Sequence, residues 1–421
     1  MLDLKFIREN PDLVRQAIAN KNEADKLDEL LALDGRRRDI IGEVEALKHQ
    51  KNVASENVAK TKKAGGDASD AILAMRAVSD KAQALDESLR VVEEQILQLQ
   101  LRIPNIPNSD VPVGDESANQ ELRYWGEKPS LAFKPAPHWE LGETLGIYDG
   151  AAGANVSGSG FFVLKGAGAK MQRALVSFML DRHTAHGYLE HRLPYLVTAR
   201  TMQGTGQLPK LAEDMYHIEA DDLYLIPTAE VPLTNLSAGA IISADLLPQK
   251  AVAYTPCFRR ESGAHGKDTR GMLRVHQFDK VELVKVVEPE HSYDELELLL
   301  ADAEAILQAL RLPYRVKLLA TGDLSFAAAK CYDLEVYSAG VDTWLEVSSC
   351  SNFVDFQARR MNLRARPKGG GKPFFPHTLN GSGLALPRTM IAIWENYQTA
   401  KGSIMVPEIL VPYMGGQTEI S

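Results

Sequence analysis

Apolar residues recur at alternating steps of three and four through two stretches near the start of the chain, which is the spacing of a coiled-coil seam. The first seam comprises Leu30, Leu33, Arg37, Ile40, Val44, Leu47, Lys51, Ala54 and Val58. The second comprises Ala71, Met75, Val78, Ala82, Leu85, Leu89, Val92, Ile96, Leu99 and Ile103. Either helix alone would leave an apolar stripe in water, so we expect the two helices to bury their stripes against each other.

A short polar segment, residues 62–70, separates the two seams. It contains Gly65 and Gly66, which can adopt positive φ angles, and then Asp67 and Ser69, either of which can cap a helix. We therefore expect the chain to reverse here and the helices to run antiparallel, as a coiled-coil hairpin. At about 1.5 Å per residue, each arm would be on the order of 50 Å long. Because a compact domain does not need such an arm, the hairpin is predicted to reach for a partner.

Lysines are concentrated near the predicted tip of the hairpin. They are Lys48, Lys51, Lys60, Lys62 and Lys63. The acidic residue that opposes them in this stretch is Glu56. Such a cluster can contact the phosphates of an RNA, or it can simply keep an exposed helix soluble. The hairpin by itself leaves both interpretations open.

Two prolines, Pro104 and Pro107, end the helical region, because proline lacks the amide donor and restricts the residue before it. We therefore predict an N-terminal domain of residues 1–104. Residues 105–137 are rich in Pro, Gly and Asp and are predicted to form a linker. Residues 138–421 then form the second domain.

Bulk composition narrows the class of protein. At 421 residues, with 45% hydrophobic and 24% charged residues, the chain has the composition of a soluble globular protein of two or three domains. Its formal net charge of −9 argues against a protein that coats nucleic acid non-specifically, since such proteins have a basic surface. Contact with RNA is therefore expected to be confined to a local basic patch.

The three cysteines, Cys257, Cys331 and Cys350, lie far apart and form no Cys-x-x-Cys pair. This spacing indicates neither a disulfide framework nor a zinc site, and it fits a reducing compartment. The N-terminus lacks the apolar core of a signal peptide, and no run of about 18 apolar residues is present. We therefore predict a cytoplasmic protein that binds neither zinc nor a membrane.

The second domain is predicted to be α+β. Apolar residues at helical spacing indicate helices over 170–186 and 292–310. Short β-rich runs occur at 224–226, 252–254, 274–287, 314–319, 332–337 and 344–347. The sequence has no glycine-rich phosphate loop of the Rossmann or P-loop type, so a nucleotide would have to be held in another way.

Three separated arginines stand in segments that suit an adenylate-forming site. The segments are Phe-Arg-Arg-Glu at 258–261, Arg-Val-His-Gln-Phe-Asp-Lys-Val-Glu at 274–282 and Gly-Leu-Ala-Leu-Pro-Arg at 383–388. An enzyme that joins a carboxylate to the α-phosphate of ATP must hold two anions side by side, which requires several fixed cations. One such arginine alone would indicate no more than a surface ion pair. Three such arginines together meet the need of an adenylate-forming site.

The order of these segments resembles motifs 2 and 3 of class II aminoacyl-tRNA synthetases. Further segments resemble the bacterial seryl-tRNA synthetases, namely Thr-Ala-Glu at 228–230, Glu-Val-Ser-Ser-Cys-Ser at 346–351 and Asn-Gly-Ser-Gly at 380–383. The resemblance implies a mixed, mostly antiparallel sheet flanked by helices, and a hairpin that binds the long variable arm of serine tRNA. It also implies that selenocysteine tRNA is a substrate where the organism has it. The segment before Gly187, together with 193–195, resembles motif 1, which implies a homodimer.

The same resemblance assigns an ATP site. Arg259 would bridge the serine carboxylate and the α-phosphate, Glu261 would contact the adenine edge, and Arg274 would hold the γ-phosphate. Phe278 would stack on one face of adenine and Arg388 on the other. Of these, Arg259, Glu261, Arg274 and Arg388 are the predicted catalytic residues. The full predicted ATP set is Arg259, Arg260, Glu261, Arg274, Val275, Phe278, Glu346, Val347, Ser348, Ser349 and Arg388.

Glu346 and Ser349 would supply oxygen ligands for Mg²⁺, although the same segment could simply be a sheet strand that ends in small polar residues. Glu282 lies four residues after Phe278, so on a strand the two side chains share one face. An ionised Glu282 could accept hydrogen bonds from the ammonium or hydroxyl group of serine. The predicted serine set is Thr228, Ala229, Glu230, Arg259, Glu282, Asn380 and Ser382.

Residues 261–271 form a glycine-rich loop of mixed charge. The resemblance implies that this loop contacts the acceptor end of tRNA through Lys267 and Arg270. By composition alone it could be an ordinary flexible loop.

Two other functions are consistent with parts of the sequence. A related ligase could load an amino acid onto a carrier protein, but such relatives lack the long hairpin and use a zinc pocket. A catalytically silent paralogue could act as an RNA-binding or regulatory module. That alternative predicts losses at the site, and none is seen at Arg259, Glu282, Glu346 or Arg388.

Overall fold

The computed structural model describes residues 1–262 and 270–421. The chain divides into two compact units, Leu2–Pro104 and Asn105–Ser421. Among the described residues, no helix is both long and apolar enough to cross a membrane. The three cysteines are buried and form no disulfide.

The unit Leu2–Pro104 is helical. Its helices are α1 (Leu4–Glu9), α2 (Pro11–Asn20), α3 (Leu27–Lys63) and α4 (Ser69–Gln100). At 37 and 32 residues, α3 and α4 are about 55 and 48 Å long. They pack on each other and bury apolar residues of both predicted seams, among them Leu30, Ile40, Val44, Val92 and Ile96. The predicted helical hairpin is therefore confirmed.

Contacts between α3 and α4 show that the helices are antiparallel. Arg37 Nε lies 2.9 Å from Glu93 Oε1, and farther along α3 the Nζ of Lys51 lies 3.1 Å from Ser79 Oγ. Residue numbers thus rise along one helix as they fall along the other. Arg37 and Lys51 are the two polar residues that interrupt the first seam, and each bonds a polar partner on α4.

The reversal between α3 and α4 lies where the sequence predicts it. Gly65 has a φ angle of 76°, in the region that favours glycine. Asp67 Oδ1 accepts hydrogen bonds from Ser69 N at 2.9 Å and from Ser69 Oγ at 2.6 Å. Of the two predicted capping residues, Asp67 is therefore the one whose side chain bonds the first turn of α4.

The unit Asn105–Ser421 contains the other helices and the strands. Its described helices are α5 (His138–Thr144), α6 (Gly150–Ser157), α7 (Gly166–Ala185), α8 (Ala199–Thr205), α9 (Glu230–Thr234), α10 (Ser292–Ala309), α11 (Phe356–Met361) and α12 (Leu386–Asn396). Its described strands are β1 (Gln120–Trp125), β2 (Tyr148–Asp149), β3 (Val163–Leu164), β4 (Leu189–Glu190), β5 (Leu196–Thr198), β6 (His217–Ile218), β7 (Leu223–Leu225), β8 (Ile241–Ser243), β9 (Gln249–Phe258), β10 (Gln277–Val287), β11 (Tyr314–Leu318), β12 (Lys330–Ser338), β13 (Thr343–Asn352), β14 (Arg364–Arg366), β15 (His377–Ala385), β16 (Ile404–Met405) and β17 (Glu419–Ile420).

The main sheet of the described chain has the strand order β1-β11-β12-β13-β15-β10-β9-β4. Its neighbouring strands pair antiparallel except for β4 and β9, which are parallel. Helices α7, α10 and α12 contribute Leu175, Leu299 and Trp394 to the hydrophobic core of this unit. The predicted α+β class with a mixed, mostly antiparallel sheet is confirmed.

Two details differ from the predictions. Strand β1 lies inside residues 105–137, which were expected to be a linker, and it pairs with β11. Trp125 stacks on Tyr314 with ring centres 5.6 Å apart, which fixes β1 at the sheet edge. Strand β10 begins at Gln277, so Arg274 lies in the turn before the strand and not on the strand.

Candidate active site

A cavity of about 650 Å³ lies against β10, β13 and β15 of the main sheet. Along β10, the side chains of Phe278, Lys280 and Glu282 line this cavity, whereas Val281 and Leu283 belong to the hydrophobic core. This alternation follows from the two-residue period of a strand. It makes β10 the floor of the cavity and confirms that Phe278 and Glu282 share a face.

Most of the site residues predicted from the sequence line this cavity. They are Thr228, Glu230, Arg259, Glu261, Arg274, Val275, Phe278, Glu282, Glu346, Val347, Ser348, Ser349, Asn380, Ser382 and Arg388. Two predicted residues do not line it. Ala229 is fully buried in a small apolar cluster, and the Arg260 guanidinium lies 6.0 Å from the centre of the Tyr216 ring.

Two of the predicted arginines are anchored by neighbouring residues of the cavity wall. Arg259 Nε donates to Pro227 O at 3.3 Å, and its guanidinium lies 5.1 Å from the centre of the Phe278 ring. Arg274 Nη1 lies 2.7 Å from Glu261 Oε2. A guanidinium has five N–H donors, so these anchors leave donors that can bind anions.

Arg388, the third arginine, lies in the first turn of α12. Its Nη1 donates to Glu346 O at 2.8 Å, and its Nε donates to Leu273 O at 3.3 Å. The same Nη1 lies 3.6 Å from the Glu346 carboxylate. Arg388 therefore joins three parts of the cavity wall that are far apart in the sequence.

Glu282 is almost fully buried on the cavity floor, with 1% of its surface exposed. Its Oε2 accepts a hydrogen bond from Thr228 Oγ1 at 3.0 Å and forms an ion pair with Lys280. A carboxylate in such a place requires partners, because an isolated buried charge is strongly unfavourable. The result is a fixed hydrogen-bond acceptor at the bottom of the cavity.

Glu230 is held by a second buried network. Its Oε1 accepts a hydrogen bond from Gln357 Nε2 at 2.7 Å, while the same Nε2 donates to Thr205 O at 3.1 Å and Gln357 Oε1 accepts from Thr378 Oγ1 at 2.7 Å. Burial, and after it repulsion from Glu282, raises the pKa of Glu230 to about 7. The hydrogen bond from Gln357 opposes this shift without cancelling it. Glu230 therefore changes charge near neutral pH.

Glu346 and Ser349 lie together on β13, where Ser349 Oγ donates to Glu346 Oε1 at 3.1 Å. The Glu346 side chain is 48% exposed, and carboxylate and hydroxyl oxygens are the ligands that Mg²⁺ prefers. Within the described part of the chain, no three His, Cys, Asp or Glu side chains are grouped to hold a metal. A cation on this pair would therefore need further oxygen ligands from a nucleotide or water.

Several residues that line the cavity are not among the sequence predictions. They include Thr205, Gln207, Asp214, Met272, Leu273, Lys280 and Ser351. Lys280 could have been predicted, because it lies two residues from both Phe278 and Glu282 and therefore shares their face of the strand. Thr205 and Gln207 stand in Gly-Thr-Gly-Gln-Leu-Pro-Lys at 204–210, which resembles a further signature of the family and was interpreted as a lid segment, not as part of the site. Leu273 carried no signal, since its position depends on contacts with distant segments.

The candidate RNA-binding lysines of the hairpin are not equivalent. Lys48 Nζ lies 3.9 Å from Asp86, and Lys51 bonds Ser79, so both reach across to α4. The other three, Lys60, Lys62 and Lys63, are exposed in the last turn of α3. Lys48, at 62% exposure, and Lys51 are also exposed, but their side chains lean toward α4.

The predicted acceptor-end contacts belong to the other unit. The guanidinium of Arg270 is exposed and lies 4.7 Å from the centre of the Trp139 ring. Lys267 lies outside the described residues.

Two domain families match this chain. Residues 1–107 match the seryl-tRNA synthetase N-terminal domain, and residues 215–397 match the tRNA synthetase class II core domain (G, H, P, S and T). Both matches agree with the hairpin and with the antiparallel sheet that carries the cavity.

Full-length relatives give a sharper comparison. The serine–tRNA ligase of Thermomicrobium roseum is 55% identical over 422 residues, which cover 100% of this chain and 95% of the relative. That of Caldanaerobacter subterraneus subsp. tengcongensis is 54% identical and covers 98% of both chains. The crystal structure of seryl-tRNA synthetase from Pyrococcus horikoshii complexed with ATP has a TM-score of 0.95 at 37% identity and covers 100% of this chain and 99% of that one. Since identity above one half extends over the whole length, the chain belongs to the seryl-tRNA synthetase family of class II aminoacyl-tRNA synthetases.

Proposed function

We propose that the cavity is the site where ATP activates L-serine before the seryl group passes to the 3′ end of serine tRNA. This is serine–tRNA ligase activity, with diphosphate and then AMP as the released products. The observation that carries the assignment is that one cavity combines Arg259, Arg274 and Arg388 with the buried acceptor Glu282. Fixed cations suit a polyphosphate and a substrate carboxylate, and the buried carboxylate suits an ammonium or hydroxyl group.

In the first half-reaction, an oxygen of the serine carboxylate attacks the α-phosphorus and diphosphate leaves. Arg259 bridges the carboxylate and the α-phosphate, so two anions meet without a covalent contribution from the protein. Arg274 holds the γ-phosphate. It does so with the N–H donors that its 2.7 Å contact with Glu261 Oε2 leaves open. The other oxygen of the Glu261 carboxylate can accept a hydrogen bond from the amino group of adenine.

Adenine lies between Phe278 and Arg388, which supply an aromatic face and a guanidinium plane. The backbone and side chains of residues 346–349 extend the nucleotide site along β13, and Arg260 and Val275 flank it. In the second half-reaction, a hydroxyl of the terminal tRNA ribose attacks the serine carbonyl carbon and AMP leaves. The same cations that favour attack on the phosphorus hold AMP as the leaving group.

Serine is selected by buried hydrogen-bonding groups. Thr228 and Glu282 are already joined at 3.0 Å, and Glu230, Asn380 and Ser382 complete the pocket with the backbone at Ala229. Alanine would leave these groups without a hydroxyl partner, which a buried site penalises strongly. Threonine is excluded by the shape of the pocket rather than by hydrogen bonding.

Glu346 and Ser349 would hold Mg²⁺ together with phosphate oxygens, and the bound ion would neutralise phosphate charge during attack. The Ser349 hydroxyl orients the Glu346 carboxylate through their 3.1 Å hydrogen bond. Glu346→Gln should raise the Mg²⁺ concentration needed for half-maximal pyrophosphate exchange. An unchanged Mg²⁺ requirement would remove Glu346 from the metal site.

The rest of the proposed assembly involves RNA and a second copy of the chain. The hairpin, through Lys48, Lys51, Lys60, Lys62 and Lys63, binds the variable arm of serine tRNA, and Lys267 and Arg270 approach its acceptor end. Selenocysteine tRNA is a second substrate where the cell contains it, and the cytoplasm is the place of action. The segment before Gly187, together with residues 193–195, forms a homodimer interface, which is supported by the exposed Leu189 on the edge strand β4 between them. Light scattering tests this, since a monomer in solution would contradict it.

The first test is a charging assay. The purified protein is incubated with ATP, Mg²⁺, total bacterial tRNA and each labelled amino acid in turn, and acid-insoluble product is counted. Serine alone should be incorporated. Serine-dependent pyrophosphate exchange without charged tRNA would point to another acceptor and favour the carrier-protein alternative.

The second test addresses the pocket. Glu282→Gln should lower kcat/KM for serine in pyrophosphate exchange by about a hundredfold, because a buried acceptor is replaced by a neutral amide. The KM for ATP should stay within about twofold, on the assumption that only the serine contact is lost. Glu290→Gln, at an exposed position, is the matched control and should behave as the parent protein does. Normal exchange by Glu282→Gln would refute the assignment.

A further inference from the structure

A buried histidine and glutamate lie behind the cavity wall and have no part in the chemistry described so far. His138 and Glu395 are both 0% exposed, and His138 Nδ1 lies 2.8 Å from Glu395 Oε1. Neither side chain lines the cavity. Glu395 is on α12, about two turns after Arg388 and on the same side of the helix. A buried pair of this kind needs a reason, because burying charged or polar groups is costly.

Glu395 accepts hydrogen bonds from five donors. Its Oε1 accepts from the backbone N–H of His138 at 2.8 Å and from His138 Nδ1–H. Its Oε2 accepts from Ser338 Oγ at 2.6 Å, from Gly340 N at 2.8 Å and from Val341 N at 3.0 Å. These bonds join α12 to the start of α5 and to the turn between β12 and β13.

The partner of Glu395 fixes the tautomer of His138. Because Nδ1 donates to the carboxylate, Nε2 is an acceptor, and Met272 N donates to it at 3.0 Å. The preceding Gly271 has a φ angle of 62°, and a Cβ atom at this position would lie 2.1 Å from His138 Nε2. The backbone N–H of Met272 thus points at the His138 ring, and Gly271 leaves room for that ring because it has no side chain.

The residues that follow Met272 reach the cavity directly. Leu273 O accepts the hydrogen bond from Arg388 Nε at 3.3 Å, and Arg274 comes next. We propose that His138 is a positioning residue for ATP: its Nε2 holds Met272 and thereby sets the Leu273 carbonyl that orients Arg388 and the backbone that carries Arg274. This inference rests on the proposed assignment of both arginines to ATP.

Two substitutions separate this role from simple packing. Asn at 138 places a donor near the position of Nδ1, so it can satisfy Glu395 but not Met272. Gln places an acceptor near the position of Nε2, so it can satisfy Met272 while Glu395 loses its side-chain donor. We expect His138→Asn to raise the KM for ATP in serine-dependent exchange by about tenfold, the effect of one lost buried hydrogen bond. The KM for serine should change by less than about twofold, and His138→Gln should stay close to the parent in both values.

The alternative role predicts the reverse order. If His138 only satisfies Glu395, His138→Gln is the impaired variant and His138→Asn the normal one, and that result would overturn the proposal. An unchanged KM for ATP in both variants would also overturn it, as would an equal rise in the KM values for ATP and serine. A fall in melting temperature alone, with the KM values kept, shows a structural role and counts against the proposal.

A second variant serves if the His138 variants do not fold. Gly271→Ala places a methyl group against His138 Nε2, whereas Gly402→Ala adds one at a similar φ angle of 80° with no atom within 4 Å. Both substitutions are strained by the positive φ angle, but only Gly271→Ala brings the added methyl group against the His138 ring. A raised KM for ATP in Gly271→Ala alone supports the proposal, and equal behaviour of the two overturns it. Arg388→Ala is measured in parallel, since an unchanged KM for ATP there would overturn the ATP assignment itself rather than the role of His138 alone.

Discussion

The hairpin and the cavity both carry many charged residues, but the two regions use charge differently. In the hairpin, Glu87 and Arg90 form an ion pair 2.8 Å long with 64% and 72% of their side chains exposed. In the cavity, Lys280 and Glu282 form a pair with 8% and 2% exposed. Exposed pairs are weak, redundant and screened by salt, whereas removal of one partner from a buried pair leaves an uncompensated charge. On the proposed function, we therefore expect RNA binding by the hairpin to be spread over a surface and catalysis in the cavity to depend on single side chains.

Shortening the hairpin gives the largest expected effect and tests whether the two regions are functionally separable. Because Lys51 lies opposite Ser79, residues 53–77 can be replaced by two glycines while that contact is kept. The kcat/KM for tRNA in serine charging should fall by about a thousandfold, since several phosphate contacts are lost together. Serine-dependent pyrophosphate exchange by the same variant should be unchanged. Equal loss of both activities would show that the hairpin acts on the cavity and not only on RNA.

Leucine-to-alanine substitutions compare the packing of the two units. Leu334→Ala, at a fully buried position on β12, should lower the free energy of unfolding by about 4 kcal/mol. Leu47→Ala, at a seam position of α3 that is 9% exposed, should lower it by about 2 kcal/mol. Hydrogen exchange of the backbone amides measures both. In Leu47→Ala the loss should be confined to α3 and α4. Matching losses in the sheet would mean that the units unfold together.

The raised pKa of Glu230, in the cavity, predicts that the free energy of unfolding depends on pH. An unfolded glutamate releases its proton near its ordinary pKa of 4.5, whereas folded Glu230 keeps it up to about 7. The contribution of Glu230 to stability is therefore fully present at low pH and is lost as pH rises from 4.5 to about 7. The loss amounts to about 3 kcal/mol. Urea denaturation across this pH range should show that Glu230→Gln lacks this decline.

The comparison with Glu230→Gln also removes the contribution of other groups. Burial lowers the pKa of His183 to about 4, so its contribution has the opposite sign and is lost as pH falls below 6.5. The parent protein and Glu230→Gln both keep the contribution of His183, so the difference between their stability curves isolates the contribution of Glu230. Parallel stability curves for the two proteins would contradict the raised pKa.

The smallest expected effect comes from a single lysine at the hairpin tip. Lys63→Ala should raise the KM for tRNA by only about twofold and reduce the slope of log affinity against log salt by about 1. Lys81→Ala, an exposed position on α4, is the control and should leave the slope unchanged. A loss from Lys63→Ala as large as that from a cavity residue would remove the contrast between a distributed and a concentrated site.

The fold of the hairpin was predictable because its determinants are local. Each seam residue is a few positions from the next, and Gly65 and Asp67 stand at the reversal they produce. Strand β1 was missed for the opposite reason. Five of its six residues are exposed and its partner β11 is distant in sequence. The Pro, Gly and Asp content of the surrounding segment therefore indicated a linker.

The site was predictable where side chains stand in motifs and not where the backbone takes part. Phe278 and Glu282 were found together because strand periodicity places them on one face. Arg274 was expected on the strand, but it lies in the preceding turn, which is held by His138 from a segment far away in sequence. A hydrogen bond from a backbone N–H to a distant buried ring leaves no pattern that spacing or composition can reveal.

Because α3 and α4 pair antiparallel, the length of the hairpin can change only if both helices gain or lose the same number of residues. An insertion in one helix without a counterpart in the other would leave seam residues without their opposite neighbours. Seven residues added to each helix would extend the arm by about 10 Å and keep the tip facing the same way, whereas four in each would turn the tip by about 40°. The number of residues between Leu27 and Gln100 thus sets the reach and the orientation of Lys60, Lys62 and Lys63. The identity of most of those residues does not matter for this.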